Sequence, residues 1–162
     1  MSGQLNERFK VVPEILQQSV EQTNDANSGT TCVGSKFSVE SKPAPGTAFR
    51  ITLAGTNTGG NAAHTLILYI GASAAMTLTA DAVTAVDYTA QFTVIFQNPK
   101  VQKIMGVMQG NALDCENDYA AGAVDCSAGA EIKVVLTSGH GSDTATCEMV
   151  IVEKWVQELV TS

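Results

Sequence analysis

The chain carries two histidines, His64 and His140, and each stands beside a glycine-rich turn. His140, Ser142 and Asp143 are the residue types of a hydrolase triad. A working relay needs hydroxyl, imidazole and carboxylate to converge from different directions, and neighbours in one tight turn do not do this. They are read as an exposed turn. A second group is Asp114, Glu116 and Asp118, in the run DCEND. If that run is extended, its three carboxylates project to one side, and hard oxygen ligands so spaced suit calcium. The run lacks the glycine and the distal glutamate of an EF-hand loop, so the competing reading is a solvated acidic loop. The tips GTNTGG and SGHGSD do not lead from a parallel strand into a helix and are no phosphate cradles. With no metal, nucleotide or covalent-catalysis signature, the chain is read as a non-enzyme without a cofactor.

The four cysteines, Cys32, Cys115, Cys126 and Cys147, form no CxxC pair, which argues against a zinc knuckle. Free thiols are the first expectation. Cys147 alternates with Met149 and Ile151 as a small core residue would. Cys115 and Cys126 flank a loop and are the pair that could close in an oxidising medium, although spacing proves no geometry.

The elements that carry these residues come from composition and period. At 162 residues the chain is long enough for one domain with its own core. It is 44% hydrophobic and only 15% charged, with a net charge of −7. So low a charged fraction requires an uncharged polar surface or surface hidden in contacts, a first hint of assembly. The nine Lys and Arg are scattered, and phosphate backbones bind through clustered cations, so nucleic acid is not an expected partner. The opening MSGQLNERFKVV has no charged segment followed by an apolar run, so no signal peptide is expected. No apolar run approaches the ~20 residues of a spanning helix, and no membrane partner is expected.

From Pro13 to about Thr23, good helix formers and the spacing of Val12, Ile15, Leu16, Ser19 and Val20 predict a short amphipathic helix. NDANSGTT then reads as a linker. Residues 1–31 are thus expected as an arm and 32–162 as a β-sandwich domain. After Thr31 the period is two. Phe49, Ile51 and Leu53 oppose Arg50 and Thr52, and Val86, Tyr88, Ala90, Phe92, Val94 and Phe96 oppose Asp87, Thr89, Gln91 and Thr93. The region 111–130 reads as a loop. About eight strands between turn signals predict an all-β antiparallel sandwich or jelly roll with a short N-terminal helix or arm. Leu66–Ile70 and Met149–Val152 are apolar at every position, which implies cover on both faces. The cover would be the helix or another copy of the chain, a second hint of assembly.

The segments FRITLAGTNTGGNAAHTLILYIG, VDYTAQFTVIF and AGAVDCSAGAEIKVVLTSGHGSDTATCEMVIVEKW together resemble structural proteins of tailed-bacteriophage virions, over roughly Phe49 to Trp155. That class contains jelly-roll-like capsid decoration (cement) proteins and head or tail fibre domains, usually trimers. The resemblance implies a homotrimer that clamps major capsid protein subunits on the capsid exterior, made in the host cytoplasm, with no catalytic residues. On this reading Val12, Ile15, Leu16 and Val20 dock. Leu66, Leu68, Ile70, Val150, Val152 and Trp155 form the core or the trimer interface. The alternative is a fibre or adhesin domain whose hairpin tips, through Asn57, Asn61 and His140, bind host glycans.

Overall fold

The computed structural model describes residues 8–25, 29–60, 62–80, 86–110 and 113–160, with the side chains of 8–12, 86, 113–115 and 156–160 excepted. The described residues form two antiparallel sheets packed face to face. Sheet A runs, in spatial order, β1 (Arg8–Ser19), β13 (Met149–Val160), β5 (Ala48–Thr58), β8 (Val86–Asn98), β9 (Val101–Gly110) and β10 (Leu113–Gly122). Two short strands, β2 (Thr23–Asp25) and β12 (Thr144–Cys147), continue the lines of β1 and β13. Sheet B runs β3 (Thr30–Thr31), β11 (Ala130–Thr137), β6 (His64–Ile70) and β7 (Ser73–Ala80), with β4 (Phe37–Val39) beside β11 on the side of β3.

The pairing is nested. The first strand line pairs with the last (β1 with β13), the second with the penultimate (β3 and β4 with β11), β5 with β8, and β6 with β7. Rolling that ribbon brings β13 against β5 and β11 against β6. This is jelly-roll connectivity, eight strand lines in two sheets. The hairpin β9–β10 is inserted before β11 and widens sheet A.

Alternation builds the core. Phe49, Ile51 and Leu53 of β5 and Phe92, Val94 and Phe96 of β8 point inward and are buried. From sheet B, Leu66, Leu68, Ile70, Leu78, Ile132, Val134 and Leu136 face them. Phe49 lies 5.1 Å from Phe37 of the opposite sheet and 6.2 Å, edge-on, from Phe96, within the range where aromatic pairs attract beyond simple burial.

Three expectations are corrected. Of the predicted helix over Pro13–Thr23, Pro13–Ser19 belongs to the edge strand β1 and Thr23 begins β2. An isolated helix of about that length is marginal in water, whereas β13 offers a partner from Arg8↔Val160 to Ser19↔Val150, and β12 one for Thr23. Pro13, taken as a helix-start signal, is equally at home on an edge strand, where a missing N–H need not break a ladder. Three segments of the expected arm therefore enter the sandwich, β1 and β2 in sheet A and β3 in sheet B. The expected loop at 111–130 contains β10, an edge strand that among the described residues pairs with β9 alone. Its inward residues Glu116, Ala120 and Gly122 are polar or small, so no apolar period-two signal shows and the sequence reads as loop.

Two buried carboxylates fasten the end of the sandwich where the chain crosses between sheets. Asp25 accepts from the Ser138 N–H (2.9 Å) and from the Thr30 hydroxyl (2.9 Å). Asp143 accepts from the Ala62 N–H at 3.2 Å. It also lies so close to Gly59, at φ +92°, that a Cβ there would stand 2.2 Å from its Oδ1. A left-handed backbone and a carboxylate at that distance both require glycine.

Candidate assembly surface

The triad-like turn does not form a relay. His140 Nδ1 is 2.8 Å from the Ser142 hydroxyl and accepts from the Ser142 N–H at 3.2 Å. The ring nitrogen that would face the aspartate thus faces the serine, while the Asp143 carboxylate is turned inward onto the Ala62 N–H. The acidic run is no better gathered. Glu116, half-buried, accepts from the Thr79 N–H of β7. Asp118 is exposed and accepts from the Tyr119 N–H at 2.7 Å. The Asp114 side chain lies outside the described residues, and a register shift between Leu113 and Glu116 breaks the alternation that would align the three. Among the described residues no three His, Cys, Asp or Glu side chains form a metal-binding group.

The residues expected at hairpin tips divide. His140 is exposed, Asn61 lies outside the described residues, and Asn57 is an interior residue of β5. Asn57 is therefore corrected as a glycan contact: it sits one strand position too deep to reach the tip. It lines a void with His64, Leu66, Tyr88 and Met108 that is too small for a water molecule. Both His64 ring nitrogens and Asn57 Oδ1 are buried there without hydrogen-bond partners. Unpaired buried polar groups carry their full desolvation cost. His64→Leu is therefore expected to stabilise the fold by about 1 kcal/mol, read as a higher urea midpoint at unchanged slope; a lower midpoint contradicts this.

Five residues expected at the core or an interface are core. Leu66, Leu68 and Ile70 point inward from β6, and Val150 and Val152 inward from β13. The two all-apolar segments do alternate in burial, and their outward residues, Ile67 and Tyr69, Met149 and Ile151, are half-buried. Lys133 of the neighbouring strand lies 5.7 Å from the Tyr69 ring. No helix of this chain lies over either segment among the described residues.

The open surface is the outer face of sheet A. Cross-strand partners share a face, so the register strings residues into rows. One row is Ile15, Glu153, Arg50, Thr93, Met105 and Tyr119, and the next is Pro13, Trp155, Ala48, Ile95, Lys103 and Ala121. Ile15 is 60% exposed, Ile95 42%, Met105 48% and Tyr119 63%. Ile95, Met105 and Tyr119 adjoin on neighbouring strands, while Ile15 stands apart beyond Glu153, Arg50 and Thr93; adjoining exposed apolar side chains mark contact surfaces, whereas single ones do not. The charges on the face are held by neighbours. Arg50 lies 4.2 Å over the Trp155 ring and 3.6 Å from Glu153, and Lys103 lies 5.7 Å from the Tyr119 ring. Trp155 Nε1 and Arg50 Nε are buried donors without a partner, aligned with a contact that brings acceptors.

Of the four expected docking residues, Ile15 lies in this face and Leu16 packs partly against the core. Val20, just past β1, is 87% exposed. Val12 pairs with Val156 in the β1–β13 ribbon, which continues past the end of β5, and its side chain lies outside the described residues. Ile95, Met105 and Tyr119 were missed. A signal existed: Ile95 occupies the polar parity of β8 and Met105 the outward parity of β9. Only the register shows that these positions adjoin.

No protein-family model matches this sequence, and no curated protein matches it.

Proposed function

We propose that this chain is a virion structural protein of a tailed phage. In this reading it is a capsid decoration (cement) protein that forms trimers on the head and stabilises contacts between major capsid subunits. The observation that carries the assembly part is the outer face of sheet A, where Ile95, Met105 and Tyr119 adjoin uncovered and Ile15 is uncovered toward the edge strand β1. The open edge β1 extends the same face. Jelly rolls serve in viral capsids, but also in lectins and cupins, so the fold alone does not choose. The phage particle and the trimer rest on the sequence resemblance over Phe49–Trp155.

The mechanism is linkage. A protein that binds only the assembled shell lowers the free energy of that state relative to dispersed subunits, and three copies joined together turn weak single contacts into avidity. Size-exclusion chromatography with light scattering tests the first step, with three chain masses as the expected result. Addition to undecorated heads of the cognate phage is then expected to raise their thermal disruption temperature. A single-chain mass at every concentration, with no change in head stability, refutes the proposal.

A further inference from the structure

We propose that Cys32 and Cys147 are a disulfide-forming pair that staples the two sheets of the jelly roll. Neither is in the pair that sequence spacing suggested. Cys126, the described member of that pair, is a buried free thiol. The inference is independent of the assembly reading.

Backbone contacts bring the two residues together from opposite sheets. Cys32 follows β3, and its N–H donates to Val134 O of β11 at 3.0 Å, which fixes it to sheet B. The next residue, Val33, donates its N–H to Thr23 Oγ1 at 2.8 Å. Thr23 is the cross-strand partner of Cys147 on β12, in sheet A. The thiols are both buried and belong to one core cluster. The neighbouring Cys32 thiol holds the Cys147 thiol below its usual range, and the Cys147 thiol together with burial pushes the Cys32 thiol up. Of the two, the Cys147 sulfur is the more readily ionised and is therefore the attacking one.

The oxidant is a low-molecular-weight disulfide such as glutathione disulfide. The Cys147 thiolate attacks one of its sulfurs, the S–S bond breaks, and one glutathione thiolate leaves. Cys32 passes its proton to that thiolate and attacks the Cys147 sulfur of the mixed disulfide. The second glutathione leaves as a thiolate and takes a proton from solvent. Two protein thiols are thus oxidised and one external disulfide is reduced to two thiols. The new bond closes most of the chain, from β3 to β12, into one loop. Long loops lose the most unfolded-state entropy. The bond stays open in a reducing cytoplasm and closes in an oxidising medium.

The test refolds the full chain from denaturant in a glutathione redox buffer, so that burial does not shield the thiols. Tryptic mapping is expected to show a Cys32–Cys147 linked peptide, with two of the four thiols lost to titration. The melting temperature is expected to rise by about 5–10 °C over the reduced protein. In Cys32→Ser the redox buffer is expected to leave the melting temperature unchanged, which assigns the shift to this bond. Recovery of Cys32 and Cys147 as free thiols overturns the proposal. So does a link to Cys115 or Cys126, or a linked protein that melts no higher than the reduced one.

Discussion

Glutamate at both Met105 and Tyr119 is expected to leave the chain monomeric at concentrations where the unsubstituted protein self-associates. The two side chains are cross-strand neighbours on β9 and β10, roughly half or more exposed in the single chain. The substitutions therefore remove no core contact, and exposed positions of this kind shift monomer stability by about 0.5 kcal/mol or less. Within a subunit contact the same carboxylates would be buried without partners, a cost of several kcal/mol. At about 1.4 kcal/mol per tenfold change in dissociation constant, two such groups weaken association by a factor of a hundred or more. Light scattering reads the mass, and the urea midpoint reads the fold. An unchanged oligomer with an unchanged midpoint would place the contact elsewhere, whatever drives assembly.

The second large effect is local and concerns the fold. Gly55→Ala is expected to destabilise the protein by about 3 kcal/mol, a sizeable share of the stability of an ordinary domain. Between β12 and β13 the ladder to β5 slips. Ala145 pairs with Asn57 and Met149 with Ala54, so three residues of one strand oppose two of the other. The surplus pushes the Thr146 carbonyl over Gly55, where it accepts from the Tyr88 hydroxyl at 2.7 Å. A Cβ on Gly55 would stand 2.0 Å from that carbonyl oxygen and 2.9 Å from the tyrosine oxygen. Both neighbours are fixed, the oxygen by backbone and the tyrosine by burial in the core. Relief requires the bulge to move and the hydrogen bond to break. Gly141→Ala is the control, because a Cβ there meets nothing within 4 Å. Equal denaturation midpoints for the two variants would show that the bulge yields freely.

This bulge also marks what a linear reading misses. Alternation is local, so the inward parity of Phe49, Ile51 and Leu53 and of Tyr88 through Phe96 was legible from residue order, and these residues are core. The β-sandwich class followed from that period. β1 was misread because its residues suit a helix almost as well as a strand, and the deciding term is the partner β13, well over a hundred residues away in the chain. β10 was misread because its inward residues, Glu116, Ala120 and Gly122, are polar or small and leave no apolar period.

Leu66–Ile70 shows the same limit in packing. Five apolar residues in a row signalled cover on both faces, yet β6 has one buried face and one half-covered by neighbouring strands. The candidate surface was legible only in part. Ile15 was singled out on a predicted helix stripe and Trp155 as a core or interface residue, whereas Ile95, Met105 and Tyr119 join them only once five strand pairings are known. The pair Cys32 and Cys147 was invisible for the same reason, since the contact passes through Thr23 on a third strand.

Residue order alone determined that this chain makes strands, which face of most of them turns inward, and that its surface is short of charge. Tertiary structure decided which strands are neighbours, and with that the nested order of the roll, the apolar rows across sheet A and the meeting of two thiols. The reason is the range of the interactions. A side chain's direction along a strand depends on adjacent peptide units, whereas register depends on hydrogen bonds and core contacts between segments that share no proximity in sequence.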